Sequence, residues 1–85
     1  MTLQTDFIKS THQINKHNPN DQTKLKLYGF YKQATIGVCN TQCPGVFGGI
    51  RERYKWDAWN ECKKMSKDDA MQEYIKLVND HASGK

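Results

Sequence analysis

Tyr28, Tyr31 and Lys32 are the residues whose types and spacing most suggest chemistry, together with Lys24 one turn before Tyr28 and Thr35 one turn after Lys32. Ammonium groups offer point charges to phosphate, and aromatic rings offer faces on which a base can stack. Wound into a helix, Lys24, Tyr28, Lys32 and Thr35 fall on one stripe. An apolar face of Leu27, Phe30, Tyr31 and Ala34 flanks it on one side, and a narrower strip of Leu25 and Ile36 lies on the other. Phenols and cations set between two apolar strips suit the wall of a groove for an amphipathic, anionic ligand. The same pattern fits a core helix whose tyrosines bury their rings and leave their hydroxyls in water.

Further cations and rings lie downstream. Arg51, Arg53 and Lys55 crowd the start of a second helical pattern, the unfavourable end for positive charge, and an anion bound there would offset the repulsion. A purely solvated charge run is the alternative. Tyr54, Ala58, Cys62 and Met65 form its apolar stripe, flanked by Trp59, while Trp56 points elsewhere, so this helix meets two surroundings. Tyr74 sits on the broad apolar face of a last helix with Ala70, Met71, Leu77 and Val78. The set suits a nucleotide bearing several phosphates and equally suits single-stranded RNA or DNA. A third reading is an interaction protein whose second apolar strip docks a partner helix.

The elements that position these groups are helices. The pattern predicts a first helix over 3–16, carried by Leu3, Phe7 and Ile14 with Ser10 or Thr11 in the gap. A break at HNPND follows, where Pro19 should hold Asn18 extended and Asn20 or Asp21 offers an N-cap. A second helix runs to Thr35 or Ile36 and stops at Gly37. Gly29 inside it suggests close approach by another helix or a ligand. The stretch VCNTQCPGVFGG at 38–49 reads as a loop anchored by Val38, Val46 and Phe47. A third helix is expected from Ile50 or Arg51 to Met65, and a fourth after the cap at Ser66. No convincing strand appears, so the fold class is all-α.

Composition narrows the function classes. Eighty-five residues make one modest core, with roughly 60–65% of the chain's surface buried on folding. The net charge of +4 favours an anionic partner without naming it. No apolar run approaches the roughly 18 residues of a membrane span, and Asp6 and Lys9 interrupt any signal-peptide core, which points to the cytoplasm. Three cysteines, Cys39, Cys43 and Cys62, argue against a disulfide framework. Cys39 and Cys43 lack two further ligands at the spacing zinc needs. GVFGG has neither the spacing nor the Lys-Ser/Thr tail of a phosphate loop, and no histidine pairs with a nucleophile. Catalysis is therefore the poorest class, and neither cofactor nor metal is expected.

LYGFYKQATIG, then PG, then KWDAWNE, then SKDDAMQEYIKLV resemble the acyl-CoA-binding protein family in order and spacing, from Phe7 to Val78. The resemblance implies a four-helix, up-down-down-up bundle forming a single acyl-CoA-binding domain over 1–85. It implies a monomeric, non-catalytic intracellular carrier of medium- and long-chain fatty acyl-CoA, supporting lipid transport and acyl-CoA pool formation. Such a carrier has no nucleic-acid partner and no stable membrane insertion, with transient contact to membranes or acyl-CoA-using enzymes. By position, Tyr28, Lys32 and Lys55 match the family residues that hold the CoA 3′-phosphate, and Tyr31 and Tyr74 those around the adenine. Leu25, Arg51, Arg53 and Trp56 fall at the phosphate or acyl-groove rim, and Trp59 resembles the more structural tryptophan. The connection after the first helix is shorter than usual. VFGGIRERY carries about one extra residue before Lys55, with arginines where lysines are frequent, which would reshape the groove rim. Cys39 and Cys43 are not recognisable family features.

Overall fold

The computed structural model describes residues 2–14, 16, 18–45 and 48–82. Its elements are four helices: α1 (Leu3–Ile14), α2 (Asp21–Thr35), α3 (Gly49–Asn60) and α4 (Lys67–Ala82). Local chemistry sets most boundaries. Thr2 Oγ1 accepts from Thr5 N at 3.2 Å to open α1. Asn20 Oδ1 accepts from Thr23 N at 2.8 Å to open α2, and Ser66 Oγ accepts from Asp69 N at 3.0 Å to open α4. α2 ends as Gly37 turns to φ +106° and its N–H, with that of Ile36, donates to Lys32 O.

Two helices are shorter than their patterns predict. α1 stops at Ile14, with Lys16 N donating back to Gln13 O. α3 stops at Asn60 rather than Met65, and the chain continues in tight i to i+3 turns through Cys62, Lys63 and Met65. Gln33 Nε2 donates to Met65 O at 2.7 Å, which ties this turn to α2. Asn18 is not extended before Pro19 but has φ +48°, a region asparagine tolerates. Val38 is exposed and anchors nothing, whereas the expected anchors Val46 and Phe47 lie outside the described residues. So does His17.

The core joins three helices. Phe7 and Ile14 of α1, Leu27 and Ala34 of α2, and Ala70, Met71, Tyr74 and Val78 of α4 form one buried cluster. Of the two residues its spacing offered, Ser10 or Thr11, Ser10 is the buried one that fills the gap in α1. α4 packs on both α1 and α2, and α2 packs on α4 and α3. α3 therefore stands outside the main cluster, on the far side of α2. Gly29 permits this, since a Cβ there would lie 2.4 Å from Ala58 O.

Candidate functional site

Tyr28 and Lys32 share a face because they are one helical turn apart on α2. Packing of α3 against α2 brings Lys55 to the same place. Lys32 Nζ lies 5.8 Å from the centre of the Tyr28 ring and Lys55 Nζ lies 5.7 Å from it. Lys32 Nζ is also 5.3 Å from the Trp59 ring, whose Nε1 donates to Gly37 O at 2.8 Å. The phenol thus attracts both ammonium groups through cation–π contact, and the fixed indole attracts Lys32 as well. Lys55 has a competing partner, Glu52 Oε1 at 3.4 Å. Both members of that pair are well exposed, so it is weak and easily displaced.

Beside this cluster a groove of about 840 Å³ opens between α2 and α3. Leu25, Ile50 and Tyr54 supply its apolar wall, and Lys24, Arg51 and Lys55 its positive rim. A second groove of about 500 Å³ adjoins it, lined by Phe30, Ala58, Cys62 and Met65 among others. Leu25 and Tyr54 belong to both, whereas Ile36 lines neither. Tyr54, expected in a core stripe, is 51% exposed. The stripe of Tyr54, Ala58, Cys62 and Met65 exists: Ala58 meets α2 at Gly29, and all four also line the second groove. Burial pushes the Cys62 thiol up from its ordinary value, with Glu61 adding to the shift.

Tyr31, about 60° around α2 from Tyr28 at about 100° per residue, meets Tyr74 of α4. Phe7 stacks on Tyr31 at 5.9 Å and meets Tyr74 edge-on at 5.1 Å, with Tyr31 and Tyr74 centred 6.4 Å apart. Tyr31 is 44% exposed and Tyr74 only 5%, so Tyr31 is the ring that offers a face to solvent. Burial pushes the Tyr74 hydroxyl up from its ordinary value, with the nearby Tyr31 adding to the shift.

The remaining rim residues separate. Arg51 faces the larger groove. Arg53 turns to Asp57, 3.2 Å from its Oδ1, and that hydrogen bond and charge, then Cys43, raise its pKa. Trp56 Nε1 donates to Thr41 O at 2.9 Å, which ties the connecting loop to α3. Ile50 and Tyr54 are the groove residues that sequence reasoning passed over. Their signal was an apolar pair one turn apart beside Arg51 and Lys55. Among the described residues no cluster of three or more His, Cys, Asp or Glu could hold a metal. No helix among them is long and apolar enough to cross a membrane.

Residues 4–78 match the family model described as Acyl CoA binding protein. The chain belongs to the acyl-CoA-binding protein family. It superimposes on the crystal structure of Oryza sativa Acyl-CoA-Binding Protein 2 with a TM-score of 0.90 at 38% identity, over 96% of this chain and 92% of that one. The acyl-CoA-binding domain is thus the up-down-down-up, four-helix bundle that the resemblance implied. It is 52% identical over 60 residues to the acyl-CoA-binding protein of Gossypium hirsutum, which amounts to 71% of this chain and 66% of the relative. It is also 47% identical over 78 residues, 89% of this chain, to human Enoyl-CoA delta isomerase 2, of which it spans 20%. Membership makes this an acyl-CoA-binding domain.

Proposed function

We propose that this chain is a single acyl-CoA-binding domain that carries medium- and long-chain fatty acyl-CoA as a monomer in the cytoplasm. Family membership supports the ligand, and one observation supports the orientation: Lys32 and Lys55 converge on the Tyr28 ring at the edge of an apolar groove. In this reading Lys32, Lys55 and the Tyr28 hydroxyl hold the CoA 3′-phosphate, and Tyr31, backed by Tyr74 and Phe7, takes the adenine. Arg51 meets the remaining phosphates, while Arg53 and Trp56 shape the rim from behind. The acyl chain runs along Leu25, Ile50 and Tyr54, where each buried methylene contributes about 0.8 kcal/mol. An odd number of thiols accords with a reducing compartment. The chain spans between 14% and 20% of several curated relatives it matches, so in a longer protein the same domain would deliver ester to a neighbouring function.

Isothermal titration calorimetry tests this with palmitoyl-CoA below its micelle concentration, free CoA and palmitate. Saturable one-to-one binding of the ester, far tighter than either fragment, is the expected result. Weak binding that ignores the acyl chain and collapses with modest salt would instead indicate a nucleic-acid surface.

A further inference from the structure

We infer that the second groove is a distinct subsite for the far end of long acyl chains, reached past Tyr54, which partitions it from the first. The inference rests on the carrier reading above and adds a site to it. At Gly29 and Ala58 the backbones of α2 and α3 nearly touch, and crossing helices must diverge on leaving such a point. Leu25 and Tyr54 each lie one turn before it. They are the two side chains common to both grooves, and they fill the gap where the helices first separate.

The grooves open on different sides of the helix pair. Tyr28 of the first and Lys26 of the second lie about 160° apart around α2 at about 100° per residue. Hydrocarbon entering beside Tyr28 and Lys55 therefore meets the Leu25–Tyr54 partition before it can reach Phe30, Cys62 and Met65. Tyr54 is half exposed and its ring can swing aside without opening the core.

The chemistry of the second groove favours a tail over a second head group. Phe30, Ala58, Cys62 and Met65 form an apolar floor, and the Cys62 thiol is occupied by Ala58 O at 3.4 Å. Glu61 and the Arg53-paired Asp57 stand at its rim with Lys26, so it has no surplus of positive charge to draw phosphate. A continuous path from a cationic anchor to an apolar end thus has one obstruction. Esters short enough to end before Tyr54 stay in the first groove, and longer ones extend into the second.

The test uses the whole protein labelled with ¹³C in its methionine methyls and titrated with octanoyl-, dodecanoyl-, palmitoyl- and eicosanoyl-CoA. Met65 reports on the second groove, and Met71, buried in α4, serves as the internal control. The Met65 methyl should stay in place with octanoyl-CoA and shift, with contacts to the acyl terminus, once the chain exceeds a threshold length. Tyr54→Ala should raise the affinity ratio of eicosanoyl- to octanoyl-CoA by about fourfold, the worth of one further buried methylene. A silent Met65 at saturation with eicosanoyl-CoA would overturn the subsite. An unchanged ratio would overturn the role of Tyr54. Failure of every ester to bind would instead overturn the carrier reading, and this inference with it.

Discussion

Gly29 of α2 packs so closely on Ala58 of α3 that a methyl group on Gly29 would lie 2.4 Å from the Ala58 carbonyl oxygen and 2.8 Å from its carbon. Backbone cannot yield as a flexible side chain can. The contact is what lets α3 dock on α2 at all, and through α3 it delivers Lys55 to Tyr28.

Gly29→Ala should therefore destabilise the domain. Alanine gains about 1 kcal/mol of helix propensity, but the overlap forces the helices apart at a cost of up to about 3 kcal/mol. A net loss of about 2 kcal/mol in urea unfolding is expected, with acyl-CoA affinity falling as Lys55 moves away. A variant as stable as the parent would contradict the packing.

Removing the anchoring cations should weaken ligand binding without loss of helicity. Lys32→Ala or Lys55→Ala is expected to reduce acyl-CoA affinity about ten- to hundredfold, the value of a charge-assisted contact, with circular dichroism unchanged. Glu52→Gln should act in the opposite sense and tighten binding up to about fivefold, because it frees Lys55 from an exposed pair. Calorimetry on the three variants measures both directions.

The two tryptophans should report differently. Lys32 lies over Trp59, whereas Trp56 is turned to the loop carbonyl of Thr41. When a phosphate draws Lys32 away, the field on the Trp59 ring changes. Trp56→Phe should keep the ligand-induced fluorescence change and Trp59→Phe should lose it, provided both still bind by calorimetry.

Stability should fall at alkaline pH through Tyr74. Burial raises the pKa of its folded-state hydroxyl, so below the ordinary tyrosine value of about 10 the group is protonated in both states and its contribution is complete. Above that value the unfolded chain releases the proton first, and the contribution is lost as pH rises through the folded value. Tyr74→Phe should flatten the decline seen in urea unfolding between about pH 9 and pH 11, although its starting stability differs.

Local chemistry explains what was legible beforehand. The caps at Asn20 and Ser66 and the stop at Gly37 act within a few residues of themselves, so a reading of neighbours finds them. Tyr28 and Lys32 share a face by helical spacing alone. Lys55 joined them as one of three downstream cations; only family resemblance singled it out, and in the structure it lies beside the same ring. Tertiary forces explain what was not legible. The bond from Gln33 of α2 to Met65 O joins residues 32 apart, beyond the reach of any local pattern. Tyr54 lay on a correct apolar stripe, but periodicity says only which side is apolar and not what covers it. The difference between exposed Tyr31 and buried Tyr74 also depends on where α1 and Phe7 settle.

The helices touch in the order α1, α4, α2, α3, so the first and last helices of the chain lie side by side. Phe7 meets Tyr74 across nearly the whole sequence. A bundle of helices would fold very fast if its contacts were local, but this pairing raises the mean sequence separation and slows the search. The outer helix α3 leans on a single neighbour and is the natural first unit to open. Deuterium should therefore enter α3 amides ahead of those in α4, and bound ester, bridging α2 and α3, should narrow that gap.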